Sequence, residues 1–222
     1  MKKKLCIVNL LKCVFVGLSF FVIDFTLRFF TRWLGYYSIF ELAPSLFSLC
    51  WIAIFVVVLS LLPRKVGRIM YAVWYGVWSI YTLIQYVYYL IFNKFFFLSD
   101  ILYASEGGNY LDYVSDVINV QFWMMLGLFF VVGVVGCMMF PDFLQIGSKR
   151  RRNILRIGLV VCSCVGSAAI PQMLTENLES PFLSSKYEYS QFTNSGFDME
   201  IAGSYHYVAR DLWKSYLKSS VD

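Results

Sequence analysis

The stretch PSLFSLCWIAIFVVVLSLL, residues 44–62, decides the fold of this chain. It holds no charged residue, and Pro44 stands where the first turn of a helix tolerates a proline. Pro63 follows directly and ends the helix. A helix of this length is roughly 28 Å long, which matches the ~30 Å hydrocarbon core of a bilayer. The stretch therefore predicts a membrane-spanning helix.

The rest of the chain has the same apolar character. Of its 222 residues, 59% are hydrophobic and only 15% are charged, against about 25% in ordinary soluble domains. Because helices satisfy their own backbone hydrogen bonds in lipid, we expect an all-α, polytopic membrane protein. Five spans are predicted within a transmembrane domain of residues 1–171, at about residues 5–34, 44–62, 69–92, 120–140 and 154–170.

Basic residues are concentrated in alternate loops. Three clusters hold 12 of the 19 Lys and Arg residues, whereas segment 93–119 has four acidic residues against one lysine. By the positive-inside rule, the amino terminus is cytoplasmic and residues 172–222 are extracellular. This placement also explains the net charge of +5 without a nucleic-acid partner. The clusters are Lys2, Lys3, Lys4 and Lys12; Arg64, Lys65 and Arg68; and Lys149, Arg150, Arg151, Arg152 and Arg156.

The cysteine and histidine content predicts neither a disulfide framework nor a metal centre. All six cysteines lie in or beside apolar segments, and Cys162 and Cys164 point to different sides of a helix. His206 is the only histidine. We therefore expect no catalytic residue, no metal and no cofactor within this chain.

Three charged residues in the first span form the first candidate site. Asp24, Arg28 and Arg32 stand four residues apart and share one helix face. If Lys12 marks the cytoplasmic edge, Asp24 and Arg28 are inside the membrane and must face protein. We favour an anchor or an interhelical pair. The alternative is that Arg28 or Arg32 binds a lipid phosphate, since guanidinium makes bidentate contacts with phosphate oxygens.

An aromatic stripe with one amide runs along the third span at alternating spacings of four and three. Such a stripe must face another helix or a cavity. Helix packing is favoured, with the amide bonded across a helix interface. The stripe consists of Trp74, Trp78, Tyr81, Gln85 and Tyr88, and ends at Phe92.

Short amphipathic helices are predicted outside the membrane. Two lie between spans three and four, around residues 97–102 and 110–117, on either side of Gly107 and Gly108. In the tail, apolar residues at helical intervals predict a helix over about residues 199–217, with Asp198 as its N-cap. This helix has no core of its own, so we expect it to pack on the membrane or on another domain.

The order of these features resembles the N-terminal membrane region of lipoteichoic acid synthase-like proteins, the phosphoglycerol transferase and sulfatase-like family of Gram-positive bacteria. The likeness runs along nearly the whole chain. It is carried by DFTLR at 24–28, LLPRK at 61–65, QYVYY at 85–89, IFNKF at 91–95, GSYHY at 203–207 and RD at 210–211.

The resemblance implies a cell-membrane anchor, possible presentation of phosphatidylglycerol, and a role in envelope polymer synthesis. The family carries a large extracellular domain with manganese or magnesium and a threonine nucleophile, and acts as a transferase or a hydrolase. No catalytic residue is carried over to this chain, so whether it belongs to an enzyme stays open. Residues 172–222 would then be the linker to the missing domain. The alternatives are a scaffold or regulatory partner of an enzyme, and a small transporter or channel subunit.

The fifth span also has features of an internal signal sequence. Arg150–Arg152 precede the apolar stretch, and the small residues Ser167 and Ala169 stand in a −3/−1 relation. An ordinary span with small packing residues is the favoured interpretation. Cleavage after Ala169 is the alternative.

Overall fold

The computed structural model describes residues 2–31, 42–97, 116–143, 148–174 and 185–218, and all regular structure within them is helical. This confirms the predicted all-α class. Five long helices are α1 (Lys2–Phe30), α2 (Leu42–Leu61), α3 (Arg64–Phe92), α4 (Val120–Met138) and α5 (Lys149–Ala169). A 3-10 turn (Ile170–Met173), α6 (Ser185–Gln191), α7 (Ser195–Leu212) and a π-helical turn (Trp213–Lys218) follow.

Local sequence explains several of the helix ends. Pro63, with φ of −58°, separates α2 from α3, and Asn93 ends α3 in the left-handed region with φ of 52°. Asn119 and Ser148 cap α4 and α5 by accepting hydrogen bonds from backbone N–H groups three residues on. These short polar caps stand directly before the long apolar runs of α4 and α5.

Four of the helices are long and apolar enough to cross a membrane: Ile7–Phe30, Leu42–Leu61, Val120–Met138 and the segment Lys149–Met173. The chain is thus suited to a membrane-embedded protein. The third predicted span, α3, has 29 residues but is absent from this set, because its tyrosines, tryptophans and Gln85 lower its mean hydropathy. A fifth span therefore stays a prediction.

The five long helices run alternately up and down. Asp24 meets Ser48, and Ser60 meets Arg156, so α2 is antiparallel to α1 and α5. Tyr71 contacts Ser19 near one end of the bundle, and Phe30 contacts Tyr86 near the other, so α1 and α3 run parallel. The end that holds the C-termini of α1, α3 and α5 is called the tail end below.

Aromatic rings form the centre of the bundle. Phe20 of α1 meets Phe55 of α2 and Tyr71 and Tyr75 of α3 edge-to-face, with ring centroids 5.5–5.8 Å apart. Phe55 packs on Trp74 at 4.6 Å. By contrast, α4 and α5 are mostly exposed, as expected for helices that face lipid.

The tail folds back onto the bundle as a helical hairpin. Helix α7 is broken at Gly203, whose φ of 71° and ψ of 163° are not helical. Phe192, just before the hairpin, packs on Tyr207, and Lys214 donates to the Phe192 carbonyl, so the chain reverses direction between them. We call residues 195–212 the tail hairpin.

The hairpin differs from the single helix predicted over about residues 199–217. It begins at Ser195 and is capped by Asn194 rather than by Asp198, which is buried in its first turn. It packs against α1 and α2, with Ile201 and Tyr205 buried and Leu212 and Trp213 exposed. The predicted surface helices between α3 and α4 fall almost wholly outside the described residues.

Candidate functional site

The first site is a buried ion pair in α1. Arg28 Nε and Nη2 both donate to Asp24 Oδ2, at 3.1 and 2.8 Å. Asp24 is fully buried and Arg28 is 5% exposed. A charge buried this deeply is tolerable only when it is paired and hydrogen-bonded. The sequence interpretation that placed these two residues on one face, turned towards protein, agrees with this geometry.

Asp24 also accepts hydrogen bonds from two other parts of the chain. Ser48 Oγ of α2 donates to Oδ2 at 2.7 Å, and Ser204 donates to Oδ1 through both its backbone N–H, at 2.7 Å, and its Oγ, at 2.8 Å. With the two bonds from Arg28, five donors surround one carboxylate. Ser204 also begins the second half of the tail hairpin, where the helix dipole favours a negative charge. Asp24 therefore joins α1, α2 and the tail.

Gly203 permits this contact because it lies closest to the bundle. Its φ of 71° and ψ of 163° fall in a region that is essentially restricted to glycine. A Cβ here would lie 2.8 Å from Ser48 Oγ, 3.1 Å from the Pro44 carbonyl oxygen and 3.2 Å from Asp24 Oδ1. Both the backbone angles and the available space thus require glycine.

Tyr205 carries the tail hairpin into the bundle and is 1% exposed. Its hydroxyl donates to the Phe20 carbonyl oxygen at 2.7 Å, and its ring meets Trp78 and Phe55 with centroids 4.6 and 5.2 Å apart. The tail thereby shares the aromatic core of the bundle. Sequence reasoning grouped Tyr205 only with an amphipathic face, although GSYHY at 203–207 was among the motifs that carried the family resemblance.

The aromatic stripe of α3 divides between two environments. Trp74 and Trp78 pack on Phe55 in the core. Gln85 Nε2 donates to Tyr81 Oη at 2.6 Å and to the Phe96 carbonyl at 2.9 Å, while its Oε1 accepts from the Phe96 N–H at 2.9 Å. Tyr88 instead packs on Phe92 and Phe96. Gln85 thus ties the chain after α3 back to the helix.

His206 lies between α2 and the segment before the hairpin. Trp51 Nε1 donates to His206 Nδ1 at 3.3 Å, and Tyr189 Oη is 2.9 Å from Nε2. Since an indole N–H can only donate, Nδ1 must be the unprotonated nitrogen. Burial, and then the nearby Arg210, lower the pKa of His206 from 6.5 to about 4. The imidazole is therefore neutral near pH 7.

Arg210 rests on two aromatic rings. Its guanidinium carbon lies 3.9 Å from the ring centroid of Tyr189 and 4.6 Å from that of Phe192. Burial lowers the pKa of Arg210, whereas Tyr189 and Asp198 oppose that shift. Stacking of Arg210 on Tyr189 and Phe192 thus joins the second half of the tail hairpin to the segment that precedes the hairpin.

The remaining predicted residues lie elsewhere. Arg32 lies outside the described residues. Ser167 and Ala169 lie in the last turn of α5, where Ser167 is half-buried and Ala169 is exposed. Neither is brought near Asp24 by a contact described above.

Metal ligands are sparse in the described part of the chain. Its residues include no group of three or more His, Cys, Asp or Glu side chains that could hold a metal ion. Cys13, Cys50, Cys137, Cys162 and Cys164 are free thiols there. The chemistry available at Asp24 is therefore charge pairing and hydrogen bonding.

No protein-family model, no curated protein and no solved structure matches this chain. The expected likeness to lipoteichoic acid synthase-like proteins therefore depends on the sequence motifs alone.

Proposed function

We propose that this chain is the membrane anchor of a lipoteichoic acid synthase-like phosphoglycerol transferase and a region that helps present its lipid substrate. The observation that carries the proposal is the bonding of Ser204 to Asp24, by which the segment after the last long helix is held in the bundle. An anchor of this kind fixes the position of a following domain.

The contacts of the hairpin support a positional role. A flexible linker would let an attached domain sample many distances from the membrane. Here the hairpin is held at Asp24, at the Phe20 carbonyl and at the backbone N–H of Phe95, to which Ser195 Oγ is bonded. These three attachments, two on α1 and one on the chain after α3, restrain both translation and rotation of the hairpin. A domain that follows the tail would therefore start from a defined point.

The lipid-presenting part of the proposal concerns Arg28. Its Nη2 is 3.5 Å from Ser45 Oγ, in the first turn of α2, so the guanidinium lies near the tail end of the bundle. Asp24 holds two of its N–H groups, and a lipid phosphate would have to share or displace that carboxylate. Lipid recognition at Arg28 thus requires the pair to open, whereas anchoring does not.

The coding DNA downstream of codon 222 provides the first test. The proposal expects the reading frame to continue into a domain with a threonine nucleophile and clustered Asp and His residues. A stop codon, or a domain without these groups, would contradict it and favour a scaffold or regulatory partner.

The second test uses the protein encoded by the continuing frame, reconstituted in liposomes with labelled phosphatidylglycerol and manganese. We expect release of diacylglycerol. Ser204→Ala, which weakens the attachment to Asp24, should lower turnover of the lipid but not of a water-soluble glycerol phosphate ester. Ser167→Ala is the matched control, because Ser167 is half-buried in the last turn of α5 and is not among the hydrogen-bond donors to Asp24. Equal turnover in both variants would contradict a positional role for the hairpin.

A further inference from the structure

A groove on the tail, separate from the Asp24 site, has the features of a phosphate site. It has a volume of about 410 Å³ and is lined by Phe192, Arg210, Trp213 and Lys214 among others. We propose that it binds the phosphodiester headgroup of an anionic phospholipid in the adjacent leaflet. The proposal does not depend on whether an enzyme domain follows the chain.

Two cations converge on one side of the groove. The Arg210 guanidinium and the Lys214 ammonium lie over the same Phe192 ring, 4.6 and 5.7 Å from its centroid. Lys214 Nζ is restrained by the Phe192 carbonyl at 2.9 Å and approaches the Gln191 carbonyl at 3.5 Å. An ammonium has three donors, so a further acceptor can be bound. The two charges are therefore held close together.

Two aromatic rings hold the Arg210 guanidinium beside the groove. Tyr189 and Phe192 both lie against the guanidinium within 4.6 Å, and such stacking uses its planar face. Nη1 is buried and has no hydrogen-bond partner among the residues that the structure describes. Hydrogen-bond donors of a guanidinium lie in its plane, where a phosphate oxygen is recognised.

Two carboxylates and one histidine lie near the two cations. Asp198 interacts electrostatically with Arg210 and balances one of the two cations. Asp211 instead accepts from Ser215 and interacts with Tyr81 of α3. His206, which also lines the groove, is neutral near pH 7 because its pKa is about 4. Two carboxylates thus accompany the two cations, and the more exposed Lys214 ammonium is the group available to a phosphodiester.

The position of the groove favours a lipid over a soluble anion. Arg210 rests on Tyr189, and Tyr189 stacks on Phe47 in the second turn of α2. If α2 spans the bilayer, this is the depth of the interface. Trp213 and Leu212 beside the groove are 63% and 44% exposed, and exposed Trp is typical of headgroup regions.

Lipid binding by the detergent-solubilised chain tests the proposal. Native mass spectrometry would follow binding of phosphatidylglycerol and, in a separate arm, of free glycerol 3-phosphate. Lys214→Gln should weaken phosphatidylglycerol binding about tenfold or more, as expected for loss of a charge-assisted hydrogen bond. Lys94→Gln is the matched control, since Lys94 is an exposed lysine at the same end of the bundle.

The outcomes separate the alternatives. Loss of lipid affinity in Lys214→Gln alone supports the site. Equal affinity in the parent and both variants, or equal loss in both, overturns it. Binding of glycerol 3-phosphate as tightly as the lipid would also overturn it, because the groove would then bind a soluble anion. Arg210→Gln should show the same loss as Lys214→Gln, and hydrogen exchange of residues 185–212 would verify that this variant is folded.

Discussion

Gly203→Ala should release the tail hairpin while leaving the helical bundle folded. The backbone angles at Gly203 cost a non-glycine residue about 1–3 kcal/mol. The added Cβ would also lie 2.8 Å from Ser48 Oγ, so that side chain must rotate away. Rotation breaks its bond to Asp24, and a hydrogen bond to a charged group contributes about 1.5–3 kcal/mol. Together these terms should lower the stability of the packed hairpin by about 2.5–6 kcal/mol.

Hydrogen exchange in detergent micelles measures this loss directly. A change of about 4 kcal/mol in the opening equilibrium accelerates exchange of the hairpin amides roughly a thousandfold. Residues 195–212 should respond, whereas the amides in the middle of α1 and α2 should not.

Gly76→Ala is the matched control for the hairpin variant. Gly76 lies within α3, and a Cβ there would meet nothing within 4 Å. Alanine in a helix interior is favoured over glycine by up to about 1 kcal/mol, so this variant should be unchanged or slightly stabilised. If Gly203→Ala protected its hairpin amides as well as Gly76→Ala does, the inferred need for glycine at the break would be refuted.

Three further variants test the surrounding contacts. Asp24→Asn should lower the free energy of unfolding by about 3–5 kcal/mol because it leaves Arg28 buried without a counter-charge. Thermal unfolding in micelles should show that the double variant Asp24→Leu/Arg28→Leu recovers part of this stability. Because burial lowers the pKa of His206 to about 4, its contribution to the free energy of unfolding should be complete above pH 6.5 and fall by up to about 3 kcal/mol as the pH drops from 6.5 to 4. Denaturant unfolding of His206→Asn should lack this pH dependence. The same pH dependence in His206→Asn would contradict a lowered His206 pKa. Gln85→Leu should expose the Phe96 N–H to exchange, since it removes the acceptor of that group, at a cost of about 1–3 kcal/mol. The Phe96 carbonyl would keep Tyr207 Oη at 3.3 Å. Unchanged exchange at residues 93–97 would argue against this bracing role.

The proposed anchor and the proposed lipid groove can fail separately. Absence of a catalytic domain downstream would remove the phosphoglycerol transferase assignment but would leave the lipid affinity of Lys214 to be measured. Conversely, a Lys214→Gln variant with unchanged lipid binding would remove the groove without affecting the attachment of Ser204 to Asp24.

Much of the bundle followed from local sequence. The run from Pro44 to Leu62 is apolar throughout, so neither packing nor partner choice was needed to expect a helix there. The spacing of Asp24 and Arg28 likewise predicted their shared face, because four residues are close to one helical turn. A span at α3 stays a prediction, since its aromatic and polar residues make its hydropathy lower than that of the other long helices.

The sequence by itself determined the helical class, the approximate extent of the long helices and the pairing of Asp24 with Arg28. Each depends on residues near one another in the chain, through hydrophobic run length, helix caps and a one-turn spacing. Only the tertiary structure decided that Ser204 completes the hydrogen bonding of Asp24 and that Tyr205 enters the aromatic core. These contacts join residues about 180 positions apart, and no local periodicity encodes them. They arise because the buried Asp24 carboxylate requires hydrogen-bond donors and the aromatic core of the bundle requires packing partners. The break at Gly203 brings Ser204 and Tyr205 within reach of both.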